Sequence, residues 1–137
     1  MGSRVRDIMA EKLVTISPDD SLSTAQDIMT LGGVRHLPVV RAGQLIGIVS
    51  QRDLLRASLS NLISFGNDQR QAFLQAVEIR RVMSTPPVII EPDAPAEQAA
   101  LVLAERKIGC LPVMQEDELI GILTETDLLR YFAGVVG

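Results

Sequence analysis

An internal repeat constrains this chain more than any other feature of its sequence. Residues 5–57 align without a gap over residues 79–131, at an offset of 74, and about a third of the aligned pairs are identical. Self-similarity at a fixed spacing indicates that one structural unit occurs twice. The sequence therefore predicts a first repeat at residues 1–57 and a second repeat at residues 79–137, joined by a helical linker at residues 58–78.

Both repeats show the same order of predicted elements. In the first repeat, a short strand at Leu13–Ile16 precedes an amphipathic helix whose apolar positions begin at Leu22 with i, i+3, i+4 spacing. A strand at Leu37–Val40 turns back as a hairpin into a strand that ends at Ser50, and a second helix follows. In the second repeat, Val88–Ile90 is the first strand. The predicted fold class is α/β of the α+β type, with two β-α-β-β-α repeats packed sheet to sheet around a pseudo-twofold axis.

Composition narrows the classes of function. The formal net charge is −4, and the chain has three Phe, one Tyr and no Trp. Neither a basic surface for nucleic acid nor an aromatic platform for single strands is expected. Cys110 and His36 are the sole residues of their types, so neither a disulfide within the chain nor a multi-histidine metal site is expected. Without a signal peptide or an apolar run of membrane-spanning length, the chain is expected to be cytoplasmic.

No group in the sequence is marked out for catalysis. A Cys110 nucleophile could use His36 alone as its histidine base, and no carboxylate stands out to orient that histidine. We interpret Cys110 as a small buried packing residue and His36 as a polar or anion contact. The acidic run at residues 116–118 falls in the second hairpin and indicates a solvated turn. The chain is therefore not expected to be an enzyme.

One polar pattern occurs in both repeats, at residues 47–53 and 121–127. It runs glycine, two apolar residues, a hydroxyl residue, two variable residues and aspartate, and it crosses from a strand into a helix. Unpaired N–H groups at a helix start favour a phosphate, and the aspartate can accept hydrogen bonds from ribose hydroxyls. The same residues also fit a capping box, with Ser50 or Thr124 as N-cap. From these residues alone, both interpretations stay open.

With these motifs, the chain resembles a tandem CBS-domain module over residues 5–131. The matching elements are Arg-Asp-Ile-Met at 6–9 with its counterpart at 80–83, Ser-Pro-Asp-Asp at 17–20, the two Leu-Pro-Val strands and the duplicated polar pattern. The resemblance implies a regulatory sensor that binds AMP, ADP, ATP or S-adenosylmethionine, has no cofactor and acts through conformational change in a homodimer. The alternative is a non-binding structural or interaction module for an unidentified protein partner.

The resemblance also implies roles for the residues that match its motifs. The hydroxyl residue and the aspartate hold phosphate and ribose, and the apolar residue after the glycine faces the nucleoside. The adenine lies on the residues just before Leu-Pro of the opposite repeat. The implied nucleotide-binding residues are Arg35, His36, Ile48, Ser50, Asp53, Ile108, Gly109, Cys110, Pro112, Ile122, Thr124 and Asp127.

The two implied sites are expected to be unequal. Arg35 and His36 belong to the same repeat as Asp53 and can supply positive charge to its phosphate side, whereas uncharged Gly109 takes the place of Arg35 beside Asp127. Hydrogen bonds to charged groups are about twice as strong as neutral ones. We therefore expect the Asp53 site to bind more tightly. Stacking of Arg35 on the adenine of the other site is the alternative.

Overall fold

The structure is a computed structural model that describes residues 2–59 and 67–134. No helix in these two ranges is both long enough and apolar enough to cross a membrane. A 3-10 turn lies at Ile79–Arg81. The elements in chain order are α1 (Val5–Ile8), α2 (Leu22–Gly32), β1 (His36–Arg41), β2 (Gln44–Ser50), α3 (Gln51–Leu59), α4 (Asn67–Ala76), α5 (Ala96–Arg106), β3 (Cys110–Gln115), β4 (Glu118–Thr124) and α6 (Glu125–Phe132).

The two predicted hairpins are present, and they share one register. Strands β1 and β2 pair antiparallel, with His36 opposite Ser50, and β3 pairs with β4 so that Cys110 lies opposite Thr124. Each ladder shifts register at the equivalent place, after Val39 in one hairpin and after Val113 in the other. Each hairpin ends at the hydroxyl residue of the duplicated polar pattern, so both copies of the pattern have the same backbone surroundings.

The predicted amphipathic helices are confirmed as α2 and α5. Helix α2 begins after Ser21, whose side chain accepts a hydrogen bond from the backbone N–H of Thr24 at 3.2 Å. Serine is a favoured N-cap because it satisfies an N–H that the helix leaves unpaired. The helix ends at Gly33, which adopts the left-handed conformation with φ of 65°. These end signals set the length of the helix that packs beside β1.

The strands predicted at Leu13–Ile16 and Val88–Ile90 are wrong in extent. Ile16 forms an isolated parallel bridge with Val39, and Ile90 forms the equivalent bridge with Val113. The Ser17 N–H then donates to the side chain of Asp20, which turns the chain away from β1. Each predicted first strand is therefore reduced to a bridge of one residue. In the first repeat, the turn that begins at Ser17 directly follows the paired Ile16.

Packing divides the chain at places other than the repeat boundaries. One compact unit is Val14–Pro86, which we call the continuous unit, and the other joins Met1–Leu13 to Pro87–Gly137, which we call the composite unit. Each unit has its own aliphatic core. The boundaries at 1–57, 58–78 and 79–137 stay a prediction about the sequence, and helix α4 lies within the predicted linker.

Two equivalent segments explain this division. The N-terminal arm (residues 3–10) packs in the composite unit, and the internal arm (residues 77–84) packs in the continuous unit. Val5 and Ile79 are fully buried at equivalent positions of the arms. The Val5 N–H donates to the Ala94 carbonyl at 2.9 Å, and the Ile79 N–H donates to the Asp20 carbonyl at 2.8 Å. The opening segment of each repeat thus completes the core built by the other repeat.

Candidate functional site

The first candidate site is the junction of β2 and α3 in the continuous unit. The Asp53 N–H donates to Ser50 Oγ at 3.1 Å, and the Ser50 N–H donates to Asp53 Oδ2 at 2.8 Å. Both residues are half-buried. This reciprocal pair is a capping box, which satisfies backbone N–H groups at the start of the helix.

The junction of β4 and α6 in the composite unit has the same construction. The Asp127 N–H donates to Thr124 Oγ1 at 3.2 Å, and the Thr124 N–H donates to Asp127 Oδ2 at 2.9 Å. The Thr124 hydroxyl is also 3.0 Å from Asp127 Oδ2 and donates to it. The capping interpretation of the duplicated pattern is therefore confirmed at both junctions, while its role toward a ligand stays a prediction.

The caps engage one oxygen of each aspartate. In both boxes the backbone N–H reaches Oδ2, so the cap does not require Oδ1. An ionised carboxylate can accept several hydrogen bonds through its two oxygens. Each capping box therefore holds its aspartate at the start of a helix through Oδ2. The carboxylate can still accept further hydrogen bonds, for example from two neighbouring hydroxyl groups.

The structure places Arg35 and His36 beside the first junction. The Gln51 N–H, at the start of α3, donates to the Arg35 carbonyl at 2.8 Å, and His36 lies opposite Ser50 in the β1–β2 ladder. Arg35 is exposed and His36 is half-buried. Arg52, in the first turn of α3, is also exposed. The backbone therefore places these three residues near Ser50, and their role toward a ligand stays a prediction.

In the composite unit, uncharged Gly109 and Cys110 stand at the positions equivalent to Arg35 and His36. The Glu125 N–H donates to the Gly109 carbonyl at 3.0 Å, and Cys110 lies opposite Thr124. Cys110 is 4% exposed, as expected for a packing residue. Glu125 adds an acidic group to the first turn of α6. These equivalent positions therefore differ in charge between the two junctions, although the capping boxes match.

The other residues implied by the resemblance have clear structural surroundings. Ile108 is half-buried and packs against the core of the composite unit. Pro112 is fully buried in β3, and its carbonyl accepts a hydrogen bond from the Ile90 N–H at 3.0 Å. Ile48 and Ile122 are half-buried. Packing thus accounts for Pro112, whereas the two isoleucines keep part of their surface exposed.

Sequence reasoning missed that the arms pair with these same strands. Ile48 and Ser84 exchange two backbone hydrogen bonds, at 3.1 and 2.8 Å. A Cβ atom on Gly47 would lie 2.8 Å from the Ser84 carbonyl oxygen, so the glycine admits the internal arm. Gly121 similarly admits the N-terminal arm, where Met9 lies over it. The recurrence of Met and Gly at the same repeat positions is the signal that could have revealed this contact.

The family is decided by the match of a CBS domain family model to residues 5–60 and again to residues 79–134. The chain belongs to the CBS domain family. A CBS domain-containing protein of Dictyostelium discoideum is 34% identical over 127 residues, which cover 91% of this chain and 88% of that protein. The family model matches twice, and this chain contains two antiparallel hairpins with helices beside them. The chain is therefore a CBS domain pair of mixed α and β structure.

Solved CBS structures agree with the fold. The CBS domain pair of protein MJ0100, in complex with 5′-methylthioadenosine and S-adenosyl-L-methionine, has a TM-score of 0.84 and 24% identity, with 98% of each chain covered. At that identity, the likeness shows the fold alone. CBSX2 in complex with AMP has a TM-score of 0.78 and 28% identity, again with 98% of each chain covered.

Proposed function

We propose that this CBS pair is a regulatory module that binds an adenine nucleotide at its strand–helix junctions. The observation that carries the proposal is the duplicated capping box, which fixes a hydroxyl and an aspartate at the starts of α3 and α6. The similarity to CBSX2, whose solved structure contains AMP, supports the choice of ligand class. The proposed CBS pair changes conformation when the nucleotide binds, because regulation requires that the ligand has different affinities for two conformations of the protein.

In the proposed site, each group of the junction has a separate task. The hydroxyl of Ser50 or Thr124 binds a phosphate oxygen near the positive end of the helix dipole. The aspartate accepts hydrogen bonds from the ribose hydroxyls, and Ile48 or Ile122 contacts the nucleoside. The roles of Ile108, Gly109, Cys110 and Pro112 on the adenine side stay predictions from the family resemblance.

We propose that the Asp53 junction binds more tightly than the Asp127 junction. Arg35, His36 and Arg52 lie around the start of α3, whereas Glu125 lies in the first turn of α6. A hydrogen bond to a charged group is worth about 1.5–3 kcal/mol, which corresponds to about tenfold or more in affinity. The Thr124 hydroxyl also donates to Asp127, so a phosphate there would have to compete for its proton.

Isothermal titration calorimetry with AMP, ADP, ATP and S-adenosylmethionine tests this proposal. The matched variants are Asp53→Asn and Asp127→Asn, because an amide oxygen can still accept the capping N–H while the negative charge is lost. We expect Asp53→Asn to weaken the tighter binding event by about tenfold or more. Loss of that event in Asp127→Asn, with Asp53→Asn unaffected, would show that the assignment is wrong.

A non-binding interaction module is the second candidate function. The complete capping boxes favour it, because they account for the hydroxyl and the aspartate without a ligand. The two candidates differ in thermal unfolding. A ligand that binds the folded state alone raises its stability, so millimolar adenine nucleotide shifts the melting temperature for a sensor and leaves it unchanged for an interaction module.

We also propose that the chain forms a homodimer through its helices. Leu55 on α3 is 53% exposed and Leu129 on α6 is 68% exposed, while their neighbours Leu54 and Leu128 are buried. Exposed apolar surface of this kind favours an interface, and twofold dimers are the commonest closed assembly. Sedimentation velocity at micromolar concentration tests this, and the mass of a single chain with and without nucleotide would contradict it. The expected cytoplasmic location also stays a prediction.

A further inference from the structure

The composite unit is completed by a segment that lies far from the rest of it in sequence. We propose that this unit recognises the N-terminal arm as a separable peptide, so that it binds the same segment when supplied by a separate molecule. The continuous unit contains its equivalent arm within one uninterrupted stretch of chain. Docking of the arm belongs to assembly of the fold and does not depend on nucleotide binding.

Backbone hydrogen bonds hold the N-terminal arm as they would hold a bound peptide. The Val5 N–H donates to the Ala94 carbonyl at 2.9 Å, and the Ala96 N–H donates to the Ser3 carbonyl at 3.0 Å. Further along the arm, Ala10 forms an isolated antiparallel bridge with Ile122 of β4 through two bonds of 2.9 and 3.0 Å. Pairing of a peptide backbone with a sheet edge is a common mode of peptide recognition, and here one residue of the arm pairs in this way.

Side chains give this docking its specificity. Val5 is fully buried in the core of the composite unit, and Ile8 and Met9 pack against that core. The Arg6 guanidinium forms an ion pair with Asp93 at 2.9 Å. The recognised pattern therefore combines a buried valine, two apolar residues further along and one arginine.

Tyr131 adds an anchor at the other end of the arm. Its hydroxyl oxygen accepts a hydrogen bond from the Ser3 N–H at 2.9 Å. The equivalent position of the first repeat is Ala57, which has no side-chain acceptor. The N-terminal arm therefore makes a hydrogen bond to a tyrosine hydroxyl, and Ala57 cannot provide the equivalent bond to the internal arm.

The connection from the N-terminal arm to the continuous unit is not fixed by backbone hydrogen bonds among the described residues. Glu11 and Lys12 are exposed, and within the described part of the chain residues 11–15 make no backbone–backbone hydrogen bond. The internal arm instead follows α4, a helix of its own unit. A cut between Leu13 and Val14 would therefore separate the arm from the chain without breaking a described backbone hydrogen bond.

The direct experiment places a protease site between Leu13 and Val14 of the full chain. After cleavage, native mass spectrometry should detect the arm still bound, and isotope-labelled arm peptide should replace it in a saturable manner. A peptide with Val5→Asp should compete at least about tenfold more weakly, because burial of a valine is lost. The matched control is Glu11→Gln, at an exposed position, which should compete normally.

Two results would overturn the inference. The first is loss of the arm on cleavage while the amides of β4 stay as protected from hydrogen exchange as before. The second is equal competition by the Val5→Asp and control peptides. If the chain with the inserted site does not fold, hydrogen exchange on the natural chain decides the question. The Ala10 and Ile122 amides should then exchange together and faster than Ser84 and Ile48, and exchange of all four at one common rate would contradict separability.

Discussion

Replacement of Gly47 by alanine should destabilise the continuous unit at the contact between β2 and the internal arm. The new Cβ would lie 2.8 Å from the Ser84 carbonyl oxygen and 3.0 Å from Met83 Sδ. The nearest atom belongs to backbone that is held by two hydrogen bonds to Ile48, so it cannot move without loss of those bonds. Overpacking of this kind costs about 1–3 kcal/mol, which exceeds the roughly 0.5–1 kcal/mol that alanine gains over glycine in a strand.

Gly121 provides the matched comparison. There the Cβ would lie 2.6 Å from Met9 Sδ and 3.0 Å from the Ala10 carbonyl oxygen, so the closest atom belongs to a flexible side chain. Gly121→Ala should therefore cost less than Gly47→Ala. Truncation of Met9 in the Gly121→Ala background should recover stability, whereas truncation of Met83 should not rescue Gly47→Ala.

Urea unfolding followed by circular dichroism measures these differences, and a double-mutant cycle gives the coupling within each Gly–Met pair. We expect the Gly121→Ala and Met9→Ala double mutant to lose about 1 kcal/mol less stability than the sum of its two single mutants. The equivalent difference for Gly47 with Met83 should be smaller. A Gly47→Ala variant as stable as the natural chain would contradict the expected clash with the Ser84 carbonyl oxygen. So would its full rescue by Met83→Ala, because the backbone contact would then carry no cost.

Three further outcomes are expected. Asp53→Ala should lower the free energy of unfolding by about 0.5–1.5 kcal/mol without ligand, measured by urea titration, because the Ser50 N–H loses its acceptor, while Asp53→Asn should lower it less because an acceptor remains. Arg6→Ala should cost under about 1 kcal/mol, because its ion pair is solvent-exposed, and the cost should shrink further in high salt. Leu55→Lys combined with Leu129→Lys should yield single chains in sedimentation velocity, and circular dichroism should show that they keep their fold, since both side chains are exposed.

Local signals in the sequence predicted the hairpins and the long helices. The turn at Ala42 and Gly43 has positive φ at both residues, as a tight hairpin requires, and Gly43 makes that conformation accessible. Ser21 and Gly33 mark the two ends of α2. These elements depend on neighbours in sequence, so one repeat contains enough information to place them.

The exchange of arms could not be predicted in the same way. The apolar pattern shows that Val5 and Ile79 are buried, yet it does not show which core receives them. Their partners, Ala94 and Asp20, lie far along the chain from Val5 and Ile79. The pairing is decided by non-local packing and by the close approach that glycine allows.

The candidate site was predicted only in part, for a chemical reason. Ser50 and Asp53 were identified from the repeated pattern, and the structure places Arg35 and His36 beside them. A capping box and a nucleotide site, however, use the same hydroxyl and the same carboxylate, so one sequence pattern fits both. Only occupation by a ligand distinguishes the two functions.

Native mass spectrometry of the chain titrated with AMP shows whether this CBS pair binds an adenine nucleotide. We expect a saturable mass increase of one AMP per chain at low concentration, lost in Asp53→Asn and retained in Asp127→Asn. The same spectra report whether the ligand is carried by a dimer. Absence of any bound AMP, ADP, ATP or S-adenosylmethionine at millimolar concentration, from a chain shown to be folded, would contradict the proposed sensor function.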